Sequence, residues 1–359
     1  MARLDSFLRL VAEQQASDLH FHAGNPPIIR HDGDLMPLPF RTLTRDEVRR
    51  FILEILTPEQ KEQFDRTNEL DLIYVIDGVG RFRTNVLMQT YGMGAVFRII
   101  PQRLPDLDEL MFPRAVRKLT QLQNGLVLVC GPTGSGKTTT LAAMVNEINR
   151  TSQRHVITIE DPIEFLHAPL QSAITQRQVG KHTETFAGAL RSALRESPDV
   201  IVVGEMRDLE TITLAISATE TGVLVFGTLH TNSASKAIDR IIDAVGEDGQ
   251  EQIRGVLSVL LRGVVSQQLC KRANSDGRVA ALEVLLQNYA VSNMIRDNKL
   301  HQLDGYLQTA SSDGSGAQSL DYAVFNYVKD GIVTLEEGMR VASYPEQLKR
   351  LVQELPQDN

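Results

Sequence analysis

Over its first hundred residues the chain switches between apolar and polar positions in short runs. Leu4, Phe7, Leu8 and Val11 fall at helical spacing, which predicts a short amphipathic helix over residues 4–15. Leu19-His20-Phe21-His22 then alternates with the period of a strand, and Asp32-Gly33 signals a hairpin turn between Ile28-Ile29 and Leu35-Met36. Thr44-Arg45-Asp46-Glu47 is a capping box opening a helix that should run to about Phe64. Three strand candidates, residues 72–76, 82–88 and 95–100, follow between glycine-bearing turns. Residues 1–100 therefore predict a small α+β domain. Pro101, Pro105 and Pro113 punctuate a linker over residues 101–113.

From Arg114 the texture changes. Four short runs, residues 126–130, 156–159, 200–203 and 223–226, apolar but for Thr158, alternate with helical patterns. Such runs predict a mostly parallel sheet covered on both faces, an α/β domain over residues 114–285. Residues 286–359 form a mostly helical C-terminal segment, with Ser311-Ser312-Asp313-Gly314-Ser315-Gly316 as a polar loop inside it. No internal repeat is present.

Composition narrows the function classes. The 359 residues are 42% hydrophobic, enough for a sizeable core in two or three domains. The 37 basic and 45 acidic side chains give a net charge of −8, which disfavours an electrostatic grip on nucleic acid or anionic lipid. Cys130 and Cys270 lie far apart in apolar surroundings and match no metal spacing, which suits a reducing compartment. Asp5, Arg9 and Glu13 interrupt any signal-peptide pattern, and no apolar run is long enough to span a bilayer. The expectation is a cytoplasmic protein with no direct membrane insertion.

Gly131-Pro132-Thr133-Gly134-Ser135-Gly136-Lys137-Thr138 fits G-x-x-x-x-G-K-[S/T], between an apolar strand and the helical pattern that begins at Thr139. Its glycines let backbone N–H groups wrap phosphate oxygens, and the helix N-terminus favours an anion. Lys137 would reach the β- and γ-phosphates of ATP, and the Thr138 hydroxyl would ligate Mg²⁺. The other three apolar runs also end in polar residues: Glu160-Asp161-Pro162-Ile163-Glu164, Gly204-Glu205-Met206-Arg207-Asp208 and Gly227-Thr228-Leu229-His230-Thr231. Parallel sheets place ligands at the carboxyl ends of their strands, so these loops should converge on one crevice. There they supply what ATP hydrolysis needs: a carboxylate for water, a carboxylate for Mg²⁺ or its water shell, and a polar sensor near the γ-phosphate.

These four boxes, with Ser17-Asp18-Leu19-His20, Gly80-Arg81-Phe82-Arg83 and Asp239-Arg240-Ile241-Ile242-Asp243, resemble the PilT-like, type IV pilus retraction branch of the secretion-type P-loop ATPases, over nearly the whole chain. The resemblance implies a PAS-like N-terminal domain, a RecA-like ATPase domain and a homohexamer that works with an inner-membrane pilus platform protein. It implies Glu164 as catalytic base, Glu205 as a second acidic residue near Mg²⁺, and His230 as γ-phosphate sensor. It also points to Arg81, Arg83 and Arg98 as the source of an arginine acting across a subunit boundary, with Arg191, Arg195 and Arg207 as weaker in-domain candidates. Glu160 and Asp161 either contact the site or cap the turn before Pro162. His20 and His22 share one strand face; two ligands are too few for a closed metal site, and a solvated strand edge is the better reading.

Two positions depart from the family pattern. Val223 stands where a histidine is usual, and Ala290-Val291-Ser292-Asn293-Met294 replaces Ala-Ile-Arg-Asn-Leu. The second change bears on retraction as against a paralogue's accessory role. Pilus extension and type II secretion ATPases typically add an N-terminal region and a four-cysteine zinc site, against which two isolated cysteines argue. A ring that binds ATP without hydrolysing it is disfavoured by Lys137 and Glu164, and a nucleic-acid translocase by the acidic balance.

Overall fold

The computed structural model describes residues 2–31, 33–100, 103–274, 277–311 and 314–354. Asp32 of the expected hairpin, Pro101 of the expected linker, and Ser312 and Asp313 of the polar loop lie outside the described residues. The chain divides into two compact units, Met1–Arg103 and Leu104–Asn359.

The first unit contains α1 (Asp5–Glu13), β1 (Asp18–His22), β2 (Ile28–His31), β3 (Asp34–Pro37), α2 (Arg45–Ile55), α3 (Pro58–Thr67), β4 (Glu69–Ile76), β5 (Gly80–Gln89) and β6 (Gly92–Ile100). Its strands form one antiparallel sheet in the order β3-β2-β1-β6-β5-β4. Leu4 just before α1, Leu8 of α1, Val48 and Ile52 of α2, and Phe64 of α3 pack against Leu19, Phe21, Phe82 and Phe97 of the sheet. The single helix expected to reach Phe64 is two helices. Pro58 lacks an N–H and disfavours a helical Thr57, so α2 ends at an extended Leu56 and Thr57 opens α3 with a second capping box to Gln60. His20 and His22 do not sit on a strand edge, because β1 pairs with β2 on one side and β6 on the other. Burial pushes both imidazoles below their ordinary pKa.

The second unit runs α4 (Arg114–Thr120), β7 (Gly125–Cys130), α5 (Lys137–Thr151), β8 (His155–Glu160), β9 (Ala173–Gln178), α6 (Phe186–Ala193), β10 (Val200–Val203), α7 (Leu209–Glu220), β11 (Leu224–Leu229), α8 (Ala234–Ala244), α9 (Gln250–Leu260), β12 (Leu261–Lys271) and β13 (Arg278–Leu286). It continues as α10 (Tyr289–Arg296), α11 (Leu303–Ala310), α12 (Leu320–Lys329), α13 (Leu335–Val341) and α14 (Pro345–Gln353). The sheet order is β13-β12-β7-β11-β10-β8-β9, parallel throughout except for β13 against β12. The four expected strands are its contiguous centre, β7-β11-β10-β8. Leu128, Ile157, Ile201 and Val225 face one core with α6, α7 and α8, whereas Val127, Val129, Val156, Val202 and Phe226 face another with α4 and α5. Burial on both faces is why these runs carry no polar alternation. Sequence patterning did not reveal β9, β12 or β13.

Candidate active site

The carboxyl ends of β7, β8, β10 and β11 lie side by side, and each delivers one of the expected boxes. The loop from Gly131 to Gly136 joins β7 directly to α5. Gly136 caps α5 at φ +90°, a backbone that side chains rarely adopt. A Cβ on Gly131 would stand 2.5 Å from the Gln267 carbonyl oxygen, so the loop can lie this close to β12 only with glycine there. Thr138 and Thr139 follow Lys137 in the first turn of α5, half-buried. The Lys137 ammonium donates to the carbonyls of Gly131 at 2.8 Å and Pro132 at 3.1 Å, and lies 3.5 Å from His230 Nδ1.

Glu205 and His230 meet because β10 and β11 are neighbours. The Thr228 hydroxyl donates to the Gly204 carbonyl, and the Met206 N–H donates to the Thr228 carbonyl at 3.1 Å, fixing the two loops in register. Glu205 Oε1 then sits 3.1 Å from His230 Nε2 and Oε2 sits 2.6 Å from the Arg207 guanidinium. Burial works to raise the Glu205 pKa, but the Arg207 hydrogen bond and the charges of Arg207, His230 and Lys137 outweigh it and hold the carboxyl below its ordinary value. Burial likewise pushes the Lys137 ammonium down, with Glu205 opposing. Glu205, Arg207, His230, Thr231 and Arg240 line a cleft beside this cluster. Arg207, a weaker candidate in the sequence, is thus part of the cluster. Arg191 is engaged by Glu210 instead.

Glu160 ends β8 with its carboxylate turned to Thr158, whose hydroxyl donates at 2.6 Å, and to Gln176 Nε2 at 3.2 Å. Glu164 stands farther along the loop that follows β8. Arg81 and Arg83 lie on β5 and Arg98 on β6, in the first unit, where Arg83 is the direct cross-strand partner of Arg98. Arg98 Nε donates to the buried Asp18 carboxylate at 2.8 Å, and Arg30 lies 3.9 Å from the same group. The two thiols are raised to about 11 by burial, in keeping with small hydrophobes.

Two residues that support the site were not singled out by the sequence. Gln267 on β12 is buried under the loop, and only the polar interruption of an otherwise apolar run marks it. Glu283 on β13 accepts the Ala234 N–H at 2.6 Å, satisfying the first N–H of α8, the helix that follows the His230 loop and that Ser233 caps. Its burial raises the carboxyl to about 7.

Such a constellation can bind an anion at a helix N-terminus, hold a cation with a hydroxyl and an ionised carboxylate, and sense the anion with imidazole and ammonium. Among the described residues no three His, Cys, Asp or Glu side chains converge as a metal site. Mg²⁺ fits all the same, because it keeps several waters and takes one or two carboxylates together with substrate phosphates.

The model of the type II/IV secretion system protein family matches residues 2–340. The type IV pilus retraction ATPase PilT of Pseudomonas aeruginosa is 45% identical over 343 residues, 96% of this chain and 99% of that protein. The type IV pilus ATPase PilU of the same organism is 36% identical over 348 residues, 97% of this chain and 91% of its own length. A crystal structure of the pilus retraction motor PilT with bound ADP superposes with a TM-score of 0.88 at 42% identity, covering 98% of this chain and 99% of that one. Full-length identity at this level, on a fold that superposes end to end, places the chain in the PilT-like branch of the type II/IV secretion ATPases.

Proposed function

We propose that this chain is a Mg²⁺-dependent ATPase whose hydrolysis cycle drives type IV pilus retraction. The observation that carries the chemistry is the joining of Lys137, at the start of α5, with His230 and Glu205 from the loops after β11 and β10. Backbone N–H groups of that loop and Lys137 bind the phosphates, and Thr138 and Glu205 hold Mg²⁺ directly or through its waters. The metal, when bound, neutralises charge that develops on the phosphoryl oxygens. Glu164 orients the attacking water, and His230 carries the state of the γ-phosphate to Glu205 and Arg207. Arg81, Arg83 and Arg98 supply the positive charge from a neighbouring subunit of a homohexamer, which docks on a membrane-embedded platform protein. None of the described helices is long and apolar enough to cross a membrane, so this reading puts membrane attachment on that partner.

A site completed by a neighbour makes activity depend on assembly. Specific phosphate release should therefore rise with protein concentration, and Lys137→Ala should abolish it at every concentration. Constant specific activity from a monodisperse monomer would contradict the shared site.

One observation favours a second reading, an accessory role beside another retraction motor. Ser292, where the retraction branch carries arginine, turns its hydroxyl onto the Ser258 carbonyl at 2.7 Å, binding α10 to α9. The α10 surface therefore lacks that guanidinium.

A further inference from the structure

We infer that Gln267 is a positioning residue for the phosphate-binding loop, an assignment that rests on this loop being the nucleotide site. The parallel register of β12 on β7 ends at Ser266 opposite Cys130, so Gln267 follows at the point where the loop leaves β7. The side chain is 1% exposed, and both ends of its amide are used. Nε2 donates to the Ser135 carbonyl, inside the loop. Oε1 accepts the hydroxyl of Thr140, itself buried in α5, at 2.7 Å. One side chain therefore ties the loop to the helix it leads into.

Phosphate binding needs the loop N–H groups turned outward, and its carbonyls must then find partners elsewhere. In a trans peptide the carbonyl and the following N–H point in opposite directions. Holding the Ser135 carbonyl inward against Gln267 therefore turns the Gly136 N–H outward. The backbone is close as well as the side chain: a Cβ on Gly136 would lie 3.2 Å from Gln267 Nε2. The Ser135 carbonyl fixes which way the amide faces, because it can only accept and so requires the NH₂ on its side, which leaves the amide oxygen for the Thr140 hydroxyl. Gln267 touches no phosphate in this account. It sets the loop that does.

Binding of a fluorescent ADP derivative to the full-length protein, with Mg²⁺, tests this. Gln267→Leu leaves the Ser135 carbonyl and the Thr140 hydroxyl unpaired and should weaken binding about 10- to 100-fold. Thr140→Val, close in shape, should weaken it about 5-fold, and the double variant should be no worse than Gln267→Leu alone, since both remove one connected network. Gln267→Glu supplies a pH signature that a general loss of stability would not. Protonated glutamic acid has one donor and one acceptor and reproduces both bonds, whereas the carboxylate cannot donate to Ser135. Affinity of that variant should fall at least tenfold more than that of the wild type as pH rises from 6 to 9. Wild-type affinity in Gln267→Leu and Thr140→Val, with binding lost in Lys137→Ala, overturns the role of Gln267 and leaves the loop as the nucleotide site. Wild-type affinity in Lys137→Ala overturns both. Should Gln267→Leu not fold, Thr140→Val decides by the same criterion.

Discussion

Glu164→Gln should keep nucleotide binding within a few-fold of the wild type and lose about 10²-fold or more of its phosphate release. In the proposed mechanism the loop N–H groups and Lys137 hold the ground-state phosphates, and Glu164 acts on water instead. A carboxylate that orients or deprotonates water acts only as the transition state forms, so its amide loses rate and not affinity. Glu160 is poorly suited to that task, because its carboxylate accepts from Thr158 and Gln176 at the end of β8. Glu205 is unsuited for a different reason. Its ion pair with Arg207 and its contact with His230 lower its pKa and make it a weak base, better fitted to a cation or the water around one. Single-turnover hydrolysis beside an equilibrium binding curve separates the two effects. Wild-type turnover at saturating Mg²⁺-ATP would remove Glu164 from the mechanism.

The second large effect concerns the arginines. Alanine at Arg81, Arg83 or Arg98 should give an inactive protein if that residue acts on a neighbour's nucleotide, an interaction that can be worth about 10³-fold in rate. Such a variant mixed with Glu164→Gln should recover activity, because some interfaces then join an intact Glu164 to an intact arginine. The three lie together on paired strands, so any of them can present its charge from one patch. Arg98 differs in being tied to the buried Asp18, and its alanine variant leaves that carboxylate with the Ser17 hydroxyl and the more distant Arg30. Loss of stability should accompany loss of activity at Arg98, which a thermal melt will separate from the effect on turnover. Mixed samples no more active than the unmixed variants would mean that the arginines do not act in trans.

How much of this was legible depended on burial. The four central strands of the second unit announced themselves because both of their faces are covered, which leaves short runs in which Thr158 is the single polar residue. The edge strand β9 carries Thr175, Gln176, Arg177 and Gln178 and has no such signature. Strand β12 interleaves Arg262, Ser266, Gln267 and Gln268 with its apolar residues, which hid it in the same way. The break at Pro58 was readable by stereochemistry, but the helical pattern continued across it. The meeting of Glu205 with His230 followed from strand ends converging, since β10 and β11 proved adjacent. The pairing of Glu205 with Arg207 needed distances. Gln267 and Glu283 lay beyond reach, because each works by touching a loop or helix far away in the chain.

The central claim is that hydrolysis at this site pulls pili in, and imaging of labelled pili in the native host measures it most directly. Cells whose only copy of the gene encodes Glu164→Gln should assemble pili that extend and stay out, so that surface pili accumulate and cells fail to move by twitching. Retraction at wild-type frequency would contradict the account and assign the chain an accessory role, and cells without surface pili would contradict it in favour of extension.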